Sequence, residues 1–252
     1  MMNVYWLEQT EADVPPGEEW LSDFERSRLS ALRVAKRRAD WRLGRWTAKR
    51  SVARYRGLPV IAAILSTIEI KPAPSGAPEI FIEQEPAPLS LSLSHREGRA
   101  LCAVTTWSAA IGCDLEYVEP RSDAFIADYF TPSEQAFIQR GSNDERYLDA
   151  TLLWSAKESA LKALRTGLLL DTRCVTVTLA QFAPIAGWSP LHVDYIGGER
   201  FHGWWNSCGS FVRTIVAAPH PARPITLELS APSRMGVPEF TATHMRTAYI
   251  GG

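Results

Sequence analysis

Cysteine is scarce in this chain of 252 residues. Cys102, Cys113, Cys174 and Cys208 stand far apart with no C-x-x-C, which excludes a zinc ribbon and a disulfide framework and leaves four reduced, structural thiols. Histidine is scarce as well: there are five, with no H-E-x-x-H, and only His95 sits in a suggestive context. No apolar run approaches the ~20 residues needed to cross a bilayer. The opening Met1-Met2-Asn3-Val4-Tyr5-Trp6 lacks the basic and long apolar regions of a signal peptide, so the expectation is a cytoplasmic monomer without membrane contact. A net charge of −1 leaves no global excess of either sign, and no aromatics interleave with the basic face described below, which argues against a nucleic-acid partner. At 46% hydrophobic residues the chain holds enough apolar surface for one large core or for two of about 110–120 residues.

What the chain does have is charge in the wrong places for a uniform surface. Twelve Lys/Arg against three acids fall between Ser22 and Arg56, and ten acids against four Lys/Arg between Asp114 and Glu158. One segment is set up to meet an anion and the other a cation. At 3.6 residues per turn, Arg38, Arg42, Arg45 and Lys49 share one helical stripe, and Trp41, Gly44, Ala48, Val52 and Tyr55 share its neighbour. The helix is expected to bury the second stripe and present the first.

The acidic region carries two motifs. In Gly112-Cys113-Asp114-Leu115-Glu116, strand alternation sends Asp114 and Glu116 to one side, where two carboxylates repel unless a cation neutralises them. In Trp154-Ser155-Ala156-Lys157-Glu158-Ser159-Ala160-Leu161-Lys162, helical spacing puts Glu158 and Lys162 on one face. Taken singly, the first is an ordinary solvated strand end and the second a surface i,i+4 pair. Together they give three oxygen-donor acids and an ammonium, a set suited to a hard cation such as Mg²⁺ and to phosphates.

Periodicity predicts a strand over 4–7 and helices over 20–32 and 37–55, then strands over 66–70, 79–82, 89–94 and 100–105, with a proline-rich loop over 72–88. A second set follows: a strand over 109–115, helices over 122–129, 132–139 and 145–164, then strands over 174–179, 192–195, 201–205, 211–217 and 225–229. Helices followed by strands occur twice. Thr131-Pro132-Ser133-Glu134 reads as a helix start with a capping box.

G-x-D-x-E followed by W-S-x-K-E-S-x-x-K and Thr166-Gly167-Leu168 resembles the signature of the 4′-phosphopantetheinyl transferases, of the larger single-chain, surfactin-synthetase-activator-like type. Ser92-Leu93-Ser94-His95 and the basic Arg37-Arg38-Ala39-Asp40-Trp41-Arg42-Leu43-Gly44-Arg45 extend the resemblance over residues 36–168. It implies an α+β fold of two similar lobes related by pseudo-twofold symmetry, each an antiparallel sheet packed on helices. The expected division is 1–108 with the basic helix, 109–230 with the metal site, and an extension over 231–252. The implied activity is transfer of 4′-phosphopantetheine from coenzyme A to a serine of an apo carrier protein, acyl, polyketide or peptidyl, releasing adenosine 3′,5′-bisphosphate.

On that resemblance Asp114, Glu116 and Glu158 hold Mg²⁺ or Mn²⁺, Glu158 and Lys162 are catalytic, and Arg38, Arg45, Lys49, Ser94, His95 and Lys162 bind the coenzyme. A glutamate at the place of Glu134 lies near the active site in relatives. One departure stands out: the basic residue common between glycine and proline in the family is Ala77 here, in Gly76-Ala77-Pro78. Arg96 follows His95, but alternation points it the other way. Two rivals use the same residues, a metal-dependent phosphohydrolase and an inactive module that binds coenzyme A or the carrier.

Overall fold

The computed structural model describes residues 1–166, 169–180 and 184–227, except for the side chain of Asn143. The expected extension 231–252, the end of the strand expected over 225–229, and Gly167-Leu168 of the motif lie outside the described residues. The chain runs β1 (Tyr5–Thr10), α1 (Asp23–Ser30), α2 (Ala35–Tyr55), the single turn α3 (Ala62–Leu65), β2 (Ile68–Pro72), β3 (Pro78–Ile82), β4 (Glu85–Pro86), β5 (Leu89–Arg96) and β6 (Arg99–Thr106). It continues through β7 (Ala110–Tyr117), α4 (Asp123–Tyr129), α5 (Pro132–Ile138), α6 (Asn143–Ala163), β8 (Val175–Leu179), β9 (Ser189–Tyr195), β10 (Arg200–Cys208), β11 (Phe211–Ala218) and β12 (Ile225–Thr226). Among the described residues no helix is long and apolar enough to cross a membrane. All four cysteines are free, three of them buried.

The strands form sheets in the orders β12-β1-β6-β5, β7-β11-β10-β9-β8 and β2-β3-β4. Every pairing is antiparallel except that of β12 with β1. The fold is therefore mixed α+β with antiparallel sheets. Between β5 and β6 the chain reverses through Glu97 and Gly98, both at positive φ (47° and 69°), as a two-residue type I′ hairpin requires. β3 corresponds to the strand expected over 79–82, and the proline-rich stretch 72–88 also holds the short β4. Ile70 and Ile80 pair across β2 and β3 and are both buried, which holds the hairpin together, while Pro72 and Pro78 face each other where the strands enter its turn.

Alternation then builds layers. On β6, Cys102 and Val104 join the core under α2, and Leu101 and Ala103 point the other way, against Ile111, Cys113 and Leu115 of β7 and Ile215 of β11. The intervening β7 residues Gly112, Asp114 and Glu116 are left facing α6. Gly112 sets the spacing: a Cβ built there lies 1.8 Å from the backbone oxygen of Ser159, so only glycine lets the helix come this close. Gly112→Ala is expected to push α6 away and cost about 1–3 kcal/mol of stability. A melting temperature equal to wild type would show that the helix tolerates the methyl.

Two buried ion pairs repeat one wiring. Glu25 completes the capping box of α1 with Ser22, accepts from the Ile70 amide (3.3 Å) and pairs with Lys49, whose ammonium donates to the carbonyls of Trp20 (2.9 Å) and Leu65 (3.0 Å). Glu134 completes the capping box of α5 with Thr131, accepts from the Val177 amide (2.9 Å) and pairs with Lys157 (2.8 Å), whose ammonium donates to Thr172 (2.9 Å) and Val175 (2.6 Å). Desolvation lowers the pKa of both lysines and the paired glutamates oppose it. The capping reading of Glu134 thus describes its place in the fold.

The basic stripe of α2 does not face solvent as expected. From Leu43 onward the helix is buried nearly all round, because α1, α3 and the loop before α1 cover its outer side. Lys49 is fully buried in the pair just described. Arg38 donates to the carbonyls of Leu29 and Leu32, and Arg42 to those of Pro16 and Gly17, so these two arginines tie loops to the helix.

Candidate functional site

Both acidic motifs and the Ser-His strand meet where β5 crosses close to β7. Ser92 Oγ accepts from the Cys113 amide (2.9 Å), and Ser94 Oγ donates to Asp114 Oδ1 (2.8 Å). Lys162 Nζ donates to the same Oδ1 (2.7 Å) and to the Cys113 carbonyl (3.2 Å). Asp114 is 3% exposed, and its second oxygen, Oδ2, has no hydrogen-bond partner. On α6, Glu158 Oε1 is buried and likewise unpartnered. Glu116 is better occupied: Oε1 accepts from Trp154 Nε1 (3.2 Å), and Oε2 lies 3.5 Å from Arg121 and 3.8 Å from Arg96.

The electrostatics record crowding of like charge. Desolvation, then the charges of Asp114 and Glu116, push the Glu158 carboxyl up to about 7, with Lys162 opposing. Desolvation and Asp114 also raise Glu116, against Arg96 and Arg121. Desolvation pulls the Lys162 ammonium down, but Asp114 and its neighbours outweigh it and the pKa rises. A cation beside Asp114 and Glu158 would relieve this repulsion and engage both orphaned oxygens. The donors are all oxygens, which fits a hard divalent ion. Among the described residues no three such side chains close into a ligand group.

Beside the acids a cavity of ≈ 370 Å³ opens between the N-terminal and C-terminal halves, walled by α2, the β2–β3 hairpin, β5, β7 and the end of α6. Arg45, His95 and Lys162 line it, so three of the residues expected to bind an anion are brought together. Partial desolvation in the cleft lowers the His95 pKa, Lys162 and Lys36 adding to the effect and Asp40 and Asp114 opposing it. Arg38 and Lys49 are not among the lining residues, and the Ser94 hydroxyl is engaged with Asp114 instead of the cavity. Arg96 is turned away as alternation requires, paired with Glu119 at 2.8 Å, and so does not replace the cation missing at Ala77. Sequence reasoning missed two cations on the wall, Lys71 and Arg165. Lys71 lies one residue past the strand expected over 66–70, and Arg165 three residues past the last lysine of the motif.

Residues 110–202 match the family model described as ACPS, the 4′-phosphopantetheinyl transferase superfamily. The matched stretch begins at β7, includes α6 and carries all three acids and Lys162. Among solved structures the chain is similar to the holo-[acyl-carrier-protein] synthase of Helicobacter pylori in complex with coenzyme A. The two share 18% identity over 41% of this chain and 98% of that one, with a TM-score of 0.27. No curated protein matches the chain.

Proposed function

We propose that the protein transfers 4′-phosphopantetheine from coenzyme A to a serine hydroxyl of an apo carrier protein, of acyl, polyketide or peptidyl type, and releases adenosine 3′,5′-bisphosphate. The observation that carries this reading is the meeting of Asp114 and Glu158 with Lys162, which lines a cavity walled by cations and free of carboxylates. Such a cavity favours a polyanion, and the neighbouring acids favour the metal that accompanies a diphosphate. In this reading the two halves, 1–108 and 109–230, are lobes related by a pseudo-twofold, which the repeated Glu25–Lys49 and Glu134–Lys157 wiring supports.

In the reaction the serine oxygen attacks the β-phosphorus, and the bond from that phosphorus to the bridging oxygen breaks. Asp114 and Glu158, with Glu116 alongside, would hold Mg²⁺, which when bound neutralises diphosphate charge. Lys162 stands between the acids and the cavity and stabilises charge growing on the departing α-phosphate. Ser94 keeps Asp114 oriented, and Arg45 and His95 hold coenzyme phosphates. Glu158 accepts the serine proton.

The test incubates the protein with coenzyme A, Mg²⁺ and a panel of purified apo carriers. The expected result is a phosphopantetheine-sized mass gain on a carrier serine, with adenosine 3′,5′-bisphosphate released only when carrier is present. Release without carrier would make it a phosphohydrolase, and no release with any carrier would leave a binding module.

A further inference from the structure

Lys71 and Arg165 joined the cavity wall without any sequence signal, and they differ in what already answers their charge. Lys71 Nζ lies 2.6 Å from Glu69 and over the rings of Phe24 and Phe81. The other strong cations on the wall are also answered from within: Arg45 Nε lies 3.9 Å from Glu25 with its guanidinium over Trp41, and Lys162 sits on Asp114. Arg165 is exposed, and among the described residues no acid pairs with it.

Its backbone is equally unusual. Arg165 N donates to the Lys162 carbonyl (3.0 Å) and Thr166 N to that of Leu161 (3.2 Å), the two bonds that close a helix through a left-handed residue. That residue is usually glycine, yet Arg165 occupies it at φ 58°, where a side chain is disfavoured. Complementing the helix dipole does not account for this, since a cation in the last turn would serve as well without the left-handed backbone. The left-handed turn instead places a free guanidinium one helical step beyond Lys162, on the wall of a cavity without carboxylates.

We propose that Arg165 is a phosphate-binding residue, its guanidinium gripping the coenzyme diphosphate beside Lys162. The proposal rests on the functional reading above. Guanidinium suits the task, because its planar donors can bracket two phosphate oxygens at once.

Titration calorimetry on the full chain in Mg²⁺ compares wild type with Arg165→Gly and Arg165→Lys, using coenzyme A and dephospho-coenzyme A, which keeps the diphosphate but lacks the 3′-phosphate. Glycine removes the side chain and suits the backbone, so its melting temperature should equal or exceed wild type. Its Kd for coenzyme A should rise about tenfold, the size of one partly exposed charge-assisted contact. Dephospho-coenzyme A should weaken by the same factor, and Arg165→Lys should recover part of the loss. Unchanged affinity in Arg165→Gly overturns the proposal, and weakening confined to coenzyme A overturns the diphosphate assignment. Failure of the wild-type protein to bind coenzyme A at all would instead bring down the functional reading and this inference with it.

Discussion

Lys162→Ala is expected to lower kcat by about 10²–10³-fold, the cost of losing one donor aimed at charge that grows in the transition state, with a smaller rise in KM for coenzyme A. The geometry makes the effect specific. Lys162 is held by Asp114 Oδ1 at 2.7 Å and by the Cys113 carbonyl, so its ammonium is fixed on the cavity wall before any ligand arrives. An i,i+4 surface pair with Glu158 would be worth only a few tenths of a kcal/mol and nothing in rate. Turnover with saturating apo carrier and coenzyme, measured beside the melting temperature, separates these cases. Wild-type kcat in the alanine variant would remove Lys162 from the mechanism.

The largest effect on stability should come from the buried pairs. Lys157→Met leaves Glu134 buried and unpaired and should cost about 3–5 kcal/mol, and Lys49→Met should do the same to Glu25. Adding Glu134→Gln to Lys157→Met should recover part of the loss, since it removes the stranded charge while its single amide oxygen keeps one of the two bonds that the carboxylate accepts from the Thr131 and Val177 amides. Urea midpoints for the two single variants and the double give the answer. A loss under about 1 kcal/mol in Lys157→Met would mean the pair behaves as if solvated.

The acids and Lys162 were legible in the sequence because their arrangement is local. Alternation on β7 and i,i+4 spacing on α6 fix which side chains share a face. The structure brings those two faces together without moving a residue. The basic helix was misread for the opposite reason. A stripe argument assumes one covered face, and α2 has two, the second made by segments such as Trp20 and Leu65 that lie 29 and 16 residues from Lys49. The role of Ser94 depends on β5 and β7 lying side by side although they belong to different sheets, a contact that no single strand pattern encodes. The strands over 66–70 and 79–82 were legible, but the prolines over 72–88 hid β4: Pro72 and Pro78 flank the hairpin's turn and Pro86 lies on the edge strand, where they remove no needed donor.

The parallel pairing of β12 with β1 has a consequence for how the molecule is made. Met2, Val4 and Trp6 give their carbonyls to the amides of Ala222, Ile225 and Leu227, and Leu227 is packed into the core beneath α2. The first sheet therefore keeps an open edge, and its core a gap, until the chain has been synthesised to residue 227. During translation β7, α6 and the sheet beside them can form while the earlier-made half still waits for its last strand, so the basic wall of the cavity reaches its final support after the acidic one.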